Sequence, residues 1–106
     1  MITIYKYDLA LTDRQTLQLP AGAEILSVQE QEAWLYEHRS TPANQRTLQL
    51  WALVDTKAPV TPRHFTIAGT GNPLTNQVIL RHIDTVVMAR GSLVWHIFEV
   101  LPDGNP

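Results

Sequence analysis

The sequence predicts an all-β fold: a single-domain antiparallel sandwich or flattened barrel of seven or eight short strands. Three observations predict it. Runs rich in β-branched and aromatic residues recur along the chain, as in ITIYKYDLAL and RHFTIA. Clusters of Pro, Gly, Asn and Asp interrupt them every 8–12 residues or so, the rhythm of a sandwich or barrel. No heptad, internal repeat or low-complexity tract accompanies them.

Ile2 to Leu11 opens with a strand whose Thr3, Tyr5, Tyr7 and Leu9 share one face when extended. Asp13-Arg14 makes a polar break, and Thr16 to Leu19 is the second strand, closed by the turn Pro20-Ala21-Gly22-Ala23. Glu24 to Gln31 alternates Leu26 and Val28 with Ser27 and Gln29, which predicts a strand with one wet face. Residues 32–46 break the rhythm as an insertion. Its start, Ala33 to His38, is compatible with a strand extension or one helical turn, and Ser-Thr-Pro-Ala-Asn that follows is loop.

Thr47 to Val54 resumes with TLQLWALV, apolar at consecutive positions in its second half, so the pattern predicts cover on both faces. Asp55 to Pro62 holds two prolines and is expected to be loop; Arg63 to Ala68 is the next strand. Gly69-Thr70-Gly71-Asn72-Pro73 is a turn, with positive φ expected at both glycines. Gln77 to Met88 and Leu93 to Leu101 then form a hairpin across Arg90-Gly91, pairing Met88 with Leu93, Val86 with Trp95, Thr85 with His96 and Asp84 with Ile97. Met88, Leu93, Val86, Trp95 and Ile97 make a core face. Val87, Val94, Thr85, His96 and Phe98 make a second apolar face that asks for cover. The domain thus runs over 1–101, and 102–106 is expected to be a flexible tail.

Composition bounds function. The chain has 106 residues, 44% hydrophobic and 17% charged, one domain's worth and too apolar for a disordered tail. No stretch approaches the roughly 18 apolar residues of a membrane span, and the N-terminus lacks the features of a secretory signal, so a cytoplasmic protein without membrane contact is expected. Cysteine does not occur, which excludes disulfides, thiolate zinc sites and a cysteine nucleophile. A net charge of −2 argues against nucleic-acid binding by bulk charge.

Several stretches together, IYKY, LPAGAEILSVQ, LWALVD, FTIAGTGNP and LVWHIFE, resemble a family of small proteins of unknown function from tailed phages and bacterial genomes. The resemblance spans Ile4 to Glu99. It departs between Gln31 and Gln49, where roughly fifteen extra residues intervene. It implies a phage or prophage setting and carries no catalytic residue over.

His64, His82 and His96 fall on three strands and His38 in the insertion, but the register sets Asp84 and His96 on opposite faces, so no metal site and no cofactor are expected. His82 and Asp84, two residues apart, share a face on a regular strand. No nucleophile elbow or serine with a base nearby is present, so no enzyme is expected. Trp51 and Trp95 read as core. The primary expectation is protein–protein interaction, with a host or phage protein or with itself as a homo-oligomer, through an apolar face and the insertion residues Trp34, Tyr36, His38 and Arg39. The alternative is a small anionic, nucleotide-type ligand held on the amides of Gly69, Thr70, Gly71 and Asn72 with charge from Arg63, His64 and Arg81.

Overall fold

The computed structural model describes residues 1–30, 47–74, 79–88, 91 and 93–102. Seven strands are found among them: β1 (Ile2–Ala10), β2 (Arg14–Pro20), β3 (Glu24–Gln29), β4 (Thr47–Asp55), β5 (Val60–Gly69), β6 (Ile79–Met88) and β7 (Leu93–Leu101). They form two antiparallel sheets, ordered β1-β4-β3 and β2-β5-β7-β6, packed as a sandwich. The barrel alternative is set aside, because each sheet keeps two edge strands. No helix among the described residues is long and apolar enough to cross a membrane.

Alternation places the core. From the three-stranded sheet, Leu9, Leu48, Leu50, Ala52, Val54 and Val28 point inward. From the other sheet come Leu19, Phe65, Ile67, Val86, Met88 and Ile97. Thr3, Tyr5, Tyr7 and Leu9 share one face of β1 as expected; Leu9 is buried, Thr3 and Tyr7 are half-buried, and Tyr5 is exposed. The last hairpin keeps the register expected of it, from Met88 opposite Leu93 to Asp84 opposite Ile97. The turn expected at Arg90-Gly91 lies outside the described residues except for Gly91, whose φ of 94° suits a primed turn.

Four local expectations are corrected. The loop after β4 is shorter than DTKAPVTP, because β5 starts at Val60 and takes in Pro62. Pro62 is tolerated because β5 pairs with β7 only from His64 onward, so at Pro62 the strand has a partner on the β2 side alone. In β3 the register shifts between Ile25 and Ser27, which throws Leu26 outward and leaves Ile25 to share the inner face with Val28. Trp51 is half-buried on the outer face of β4, opposite Lys6 and Ser27, and Leu53 on the same face is exposed; of that row Gln49 is buried, whereas the inner row from Leu48 to Val54 is covered throughout. Trp95 does face inward and packs against the core. In the glycine turn only Gly71 has positive φ, at 87°; an added Cβ at Gly69 would lie 3.0 Å from the side-chain nitrogen of Asn72.

A second bulge matters more. β6 shifts register between His82 and Asp84, with Ile83 as the extra residue. It separates His82 and Asp84, which a regular strand would put on one face. Asp84 turns inward, where its carboxylate accepts the backbone N–H of Val28 at 3.0 Å and so links the two sheets. His82 turns outward beside Phe98, ring centroids 5.4 Å apart.

Candidate functional site

Residues that stand opposite one another across β5, β7 and β6 build the site. Glu99 lies on the inward row of β7 with Trp95 and Ile97. Its cross-strand partners are Phe65 on β5 and Arg81 on β6, and Arg63 lies diagonally, two residues from Phe65 on the same face. A carboxylate on a core-facing row requires a cation, and it receives two. The Arg63 guanidinium makes a bidentate pair with Glu99, donating from Nε to one carboxylate oxygen and from an Nη to the other at 2.9 Å. Arg81 donates to Glu99 Oε1 at 2.9 Å. Arg63 also reaches across the sandwich, donating to the carbonyl of Ala23 at 2.7 Å, so the cluster ties the turn before β3 to the opposite sheet.

Burial is graded through the cluster. The Glu99 side chain is 5% exposed and that of Arg63 18%, whereas that of Arg81 is 59% exposed. Burial pushes the Glu99 carboxyl up, but the hydrogen bonds and charges of Arg63 and Arg81 outweigh it and hold the group below its ordinary value. Its hydrogen bond to Glu99 moves Arg63 the other way, above the ordinary arginine value. Glu99 is therefore a fixed anion and Arg63 a fixed cation, paired through two hydrogen bonds. Arg81 differs. It has five N–H donors and spends one on Glu99.

Two open clefts flank this cluster, of about 410 and 500 Å³, and Arg63, Arg81 and Glu99 line both. The smaller also has Glu24, Ile25 and His82 in its wall. The larger has Arg14, Val100 and Leu101.

The structure brings Arg63 and Arg81 together but not with the glycine turn. Six residues of extended strand separate Arg63 from Gly69, about 20 Å at 3.3 Å per residue. Gly69 pairs with Trp95, four residues from Glu99 along β7. The turn is a closed local unit: the N–H of Asn72 donates to Gly69 O at 3.1 Å, and the Thr70 hydroxyl meets His96 Nε2 at 2.7 Å.

The histidines are not split between sheet faces. His64, His82 and His96 all stand on the outer face of the four-stranded sheet. His64 bonds Thr16 at 2.8 Å, while the hydroxyl of Thr85 stands between His82 at 2.9 Å and His96 at 3.2 Å. These threonine partners satisfy the rings on a surface with no carboxylate among them. Among the described residues no group of three or more His, Asp or Glu could hold a metal ion. Trp34, Tyr36, His38 and Arg39 lie outside the described residues.

Sequence reasoning passed over Glu99, Arg14 and the apolar pair Val100 and Leu101. The signal for Glu99 was present in LVWHIFE, where period two places an acid on the same row as Trp95 and Ile97.

A family model described as "Domain of unknown function (DUF7352)" matches residues 1–105. No curated protein and no solved structure matches the chain.

Proposed function

We propose, from the premise that this chain belongs to the DUF7352 family of domains of unknown function, that it is a non-enzymatic binding protein that takes a small oxyanion at Arg81. The phage or prophage setting of this reading comes from the motif resemblance. One observation carries the binding: a guanidinium held by a buried carboxylate, with one of its five donors spent on Glu99, no further acceptor among the described residues, and two clefts beside it. Glu99 supplies orientation, because a fixed guanidinium loses less freedom when an anion docks. Arg63 spends three of its five donors on Glu99 and Ala23 and serves as the anchor.

Isothermal titration of the full chain with inorganic phosphate tests this. Arg81→Gln should lower the affinity at least tenfold, since charge-assisted hydrogen bonds are worth roughly 1.5–3 kcal/mol. The binding should weaken as salt is added. Folding stability should change little, because an exposed ion pair contributes about 0–1 kcal/mol. Equal affinity in wild type and Arg81→Gln would overturn the reading.

A second observation favours self-association as an additional mode of action. On the outer face of the three-stranded sheet Ile4 stands opposite Leu53, with exposed Ile2 and Leu26 and half-buried Trp51 around them. The occupant fitted to this patch is a second copy of the chain. Lys6 on edge strand β1 and Glu24 on edge strand β3 flank the apolar centre, and a two-fold axis along the strands sets β1 of one copy over β3 of the other. Sedimentation velocity at micromolar concentration should give a dimer for the wild type and a monomer for Leu53→Lys. A wild type that sediments as a 12.0 kDa particle would exclude it.

A further inference from the structure

We infer that the ligand of Arg81 is an amphipathic anion, an oxyanion head joined to an apolar body, and that the body lies in the larger of the two clefts. This rests on the oxyanion reading above and adds which side the ligand occupies and what its other end is made of.

Charge decides between the clefts. The lining of the smaller one has Arg63 and Arg81 against Glu24 and Glu99, two cations and two anions, so no positive charge is left over. An anion entering there meets the Glu24 carboxylate. The larger cleft has Arg14, Arg63 and Arg81 against Glu99 alone, three cations and one anion, an excess of two. Both oxygens of that one carboxylate already accept from the arginines, Oε1 from two of them, so most of its charge is met within the cluster.

The rest of the larger cleft's lining is of the opposite character: Pro62, Val100, Leu101 and Pro102 carry no charge and stand there with His64. A bare phosphate uses only the guanidiniums and leaves this part of the lining in water. A ligand with an alkyl or aryl body covers it and gains the burial of its own apolar surface, about fourfold in affinity for each methylene removed from water. At about 500 Å³ the cleft lies within the range of small-molecule sites. Ligands of this class include carboxylates with an apolar chain and phosphate monoesters of an apolar alcohol, which share the single oxyanion head.

The test is a chain-length series read by backbone amide chemical shifts in the ¹⁵N-labelled full chain. One arm uses acetate, butanoate and hexanoate; the other uses inorganic phosphate and hexyl phosphate. The expected result is a dissociation constant that falls about fourfold per added methylene over the first few, with shifts centred on Val100, Leu101 and Arg63. The arm with the tighter head identifies the ligand as carboxylate or phosphate. Leu101→Gln should flatten the chain-length dependence. Hexanoate binding no more tightly than acetate, with shifts at Arg81, would overturn this inference and leave the oxyanion reading in place. Tighter binding of long chains with shifts centred on Gly22 to Ile25 would also overturn it, by placing the body in the smaller cleft. No binding by any member of either arm would remove both.

Discussion

Glu99→Ala lowers the unfolding free energy by about 3–5 kcal/mol, the cost of leaving a buried charge without its partner. The side chain removed is 5% exposed and accepts three hydrogen bonds from two arginines. Arg63, itself 18% exposed, is left facing the interior with only Ala23 O as acceptor. Arg81 adds little to the loss, because its exposed guanidinium is rehydrated. Against a total stability of roughly 5–15 kcal/mol for a small domain, the variant sits near the edge of folding. Urea denaturation measures it, and a loss below about 1 kcal/mol would show that the pair contributes no more than an exposed one.

The same pair sets an acid limit. The folded-state value of Glu99 lies below its ordinary one, so the unfolded chain takes up a proton first as pH falls. The stability that Glu99 contributes is fully present above its ordinary value of 4.5 and is lost as pH falls through the lower folded-state value. Wild-type stability should therefore decline from about pH 5 downward, and Glu99→Gln, which cannot titrate, should show a shallower decline.

Phe65→Ala costs about 3–5 kcal/mol by removing a large core side chain and leaving a cavity. Phe65 has no exposed surface and heads the fully buried side chains by volume. It lies on β5, a central strand, between Gln15 of β2 and Glu99 of β7. Its neighbours are fixed by pairing on both sides, so the site closes poorly after truncation and the upper part of the range is expected. Phe65→Leu should cost markedly less, because it refills most of the volume. Thermal unfolding followed by circular dichroism distinguishes the two. Similar losses for both would mean that the aromatic shape, not the volume, is what the core requires.

Both predictions concern the inward row of the four-stranded sheet, and that row was largely legible in the sequence. Period-two alternation in VVM and LVWHI placed Met88, Leu93, Val86, Trp95 and Ile97 on one face, and the hairpin register followed from the turn. Single-residue bulges were not legible. An extra residue at Ile83 or Leu26 leaves the composition of a strand unchanged while reversing the face of everything beyond it. That is why His82 and Asp84 were read as neighbours and prove to face opposite ways. Pro62 was read as a loop residue because proline interrupts a ladder, and nothing local reveals that β5 has only one neighbour there.

The arginines show a different limit. Arg63 and Arg81 were read as a charge source for the glycine turn and attached to it by proximity in the chain. Antiparallel pairing sets distances by register, and register carries both toward Glu99 at the opposite end of β5. Read with the strand pairing in hand, the acid on the row of Trp95 and Ile97 calls for those two cations.

The most direct measurement of oxyanion binding is the side-chain Nε–H spectrum of the arginines during titration with inorganic phosphate. Arg81 has one donor on Glu99 and no other acceptor among the described residues, so its Nε–H resonance should shift with a saturable dependence on phosphate, while that of Arg63, locked on Glu99, stays in place. A stationary Arg81 resonance, with shifts confined to the amides of Gly69 to Asn72, would contradict binding at Arg81 and return the site to the glycine turn.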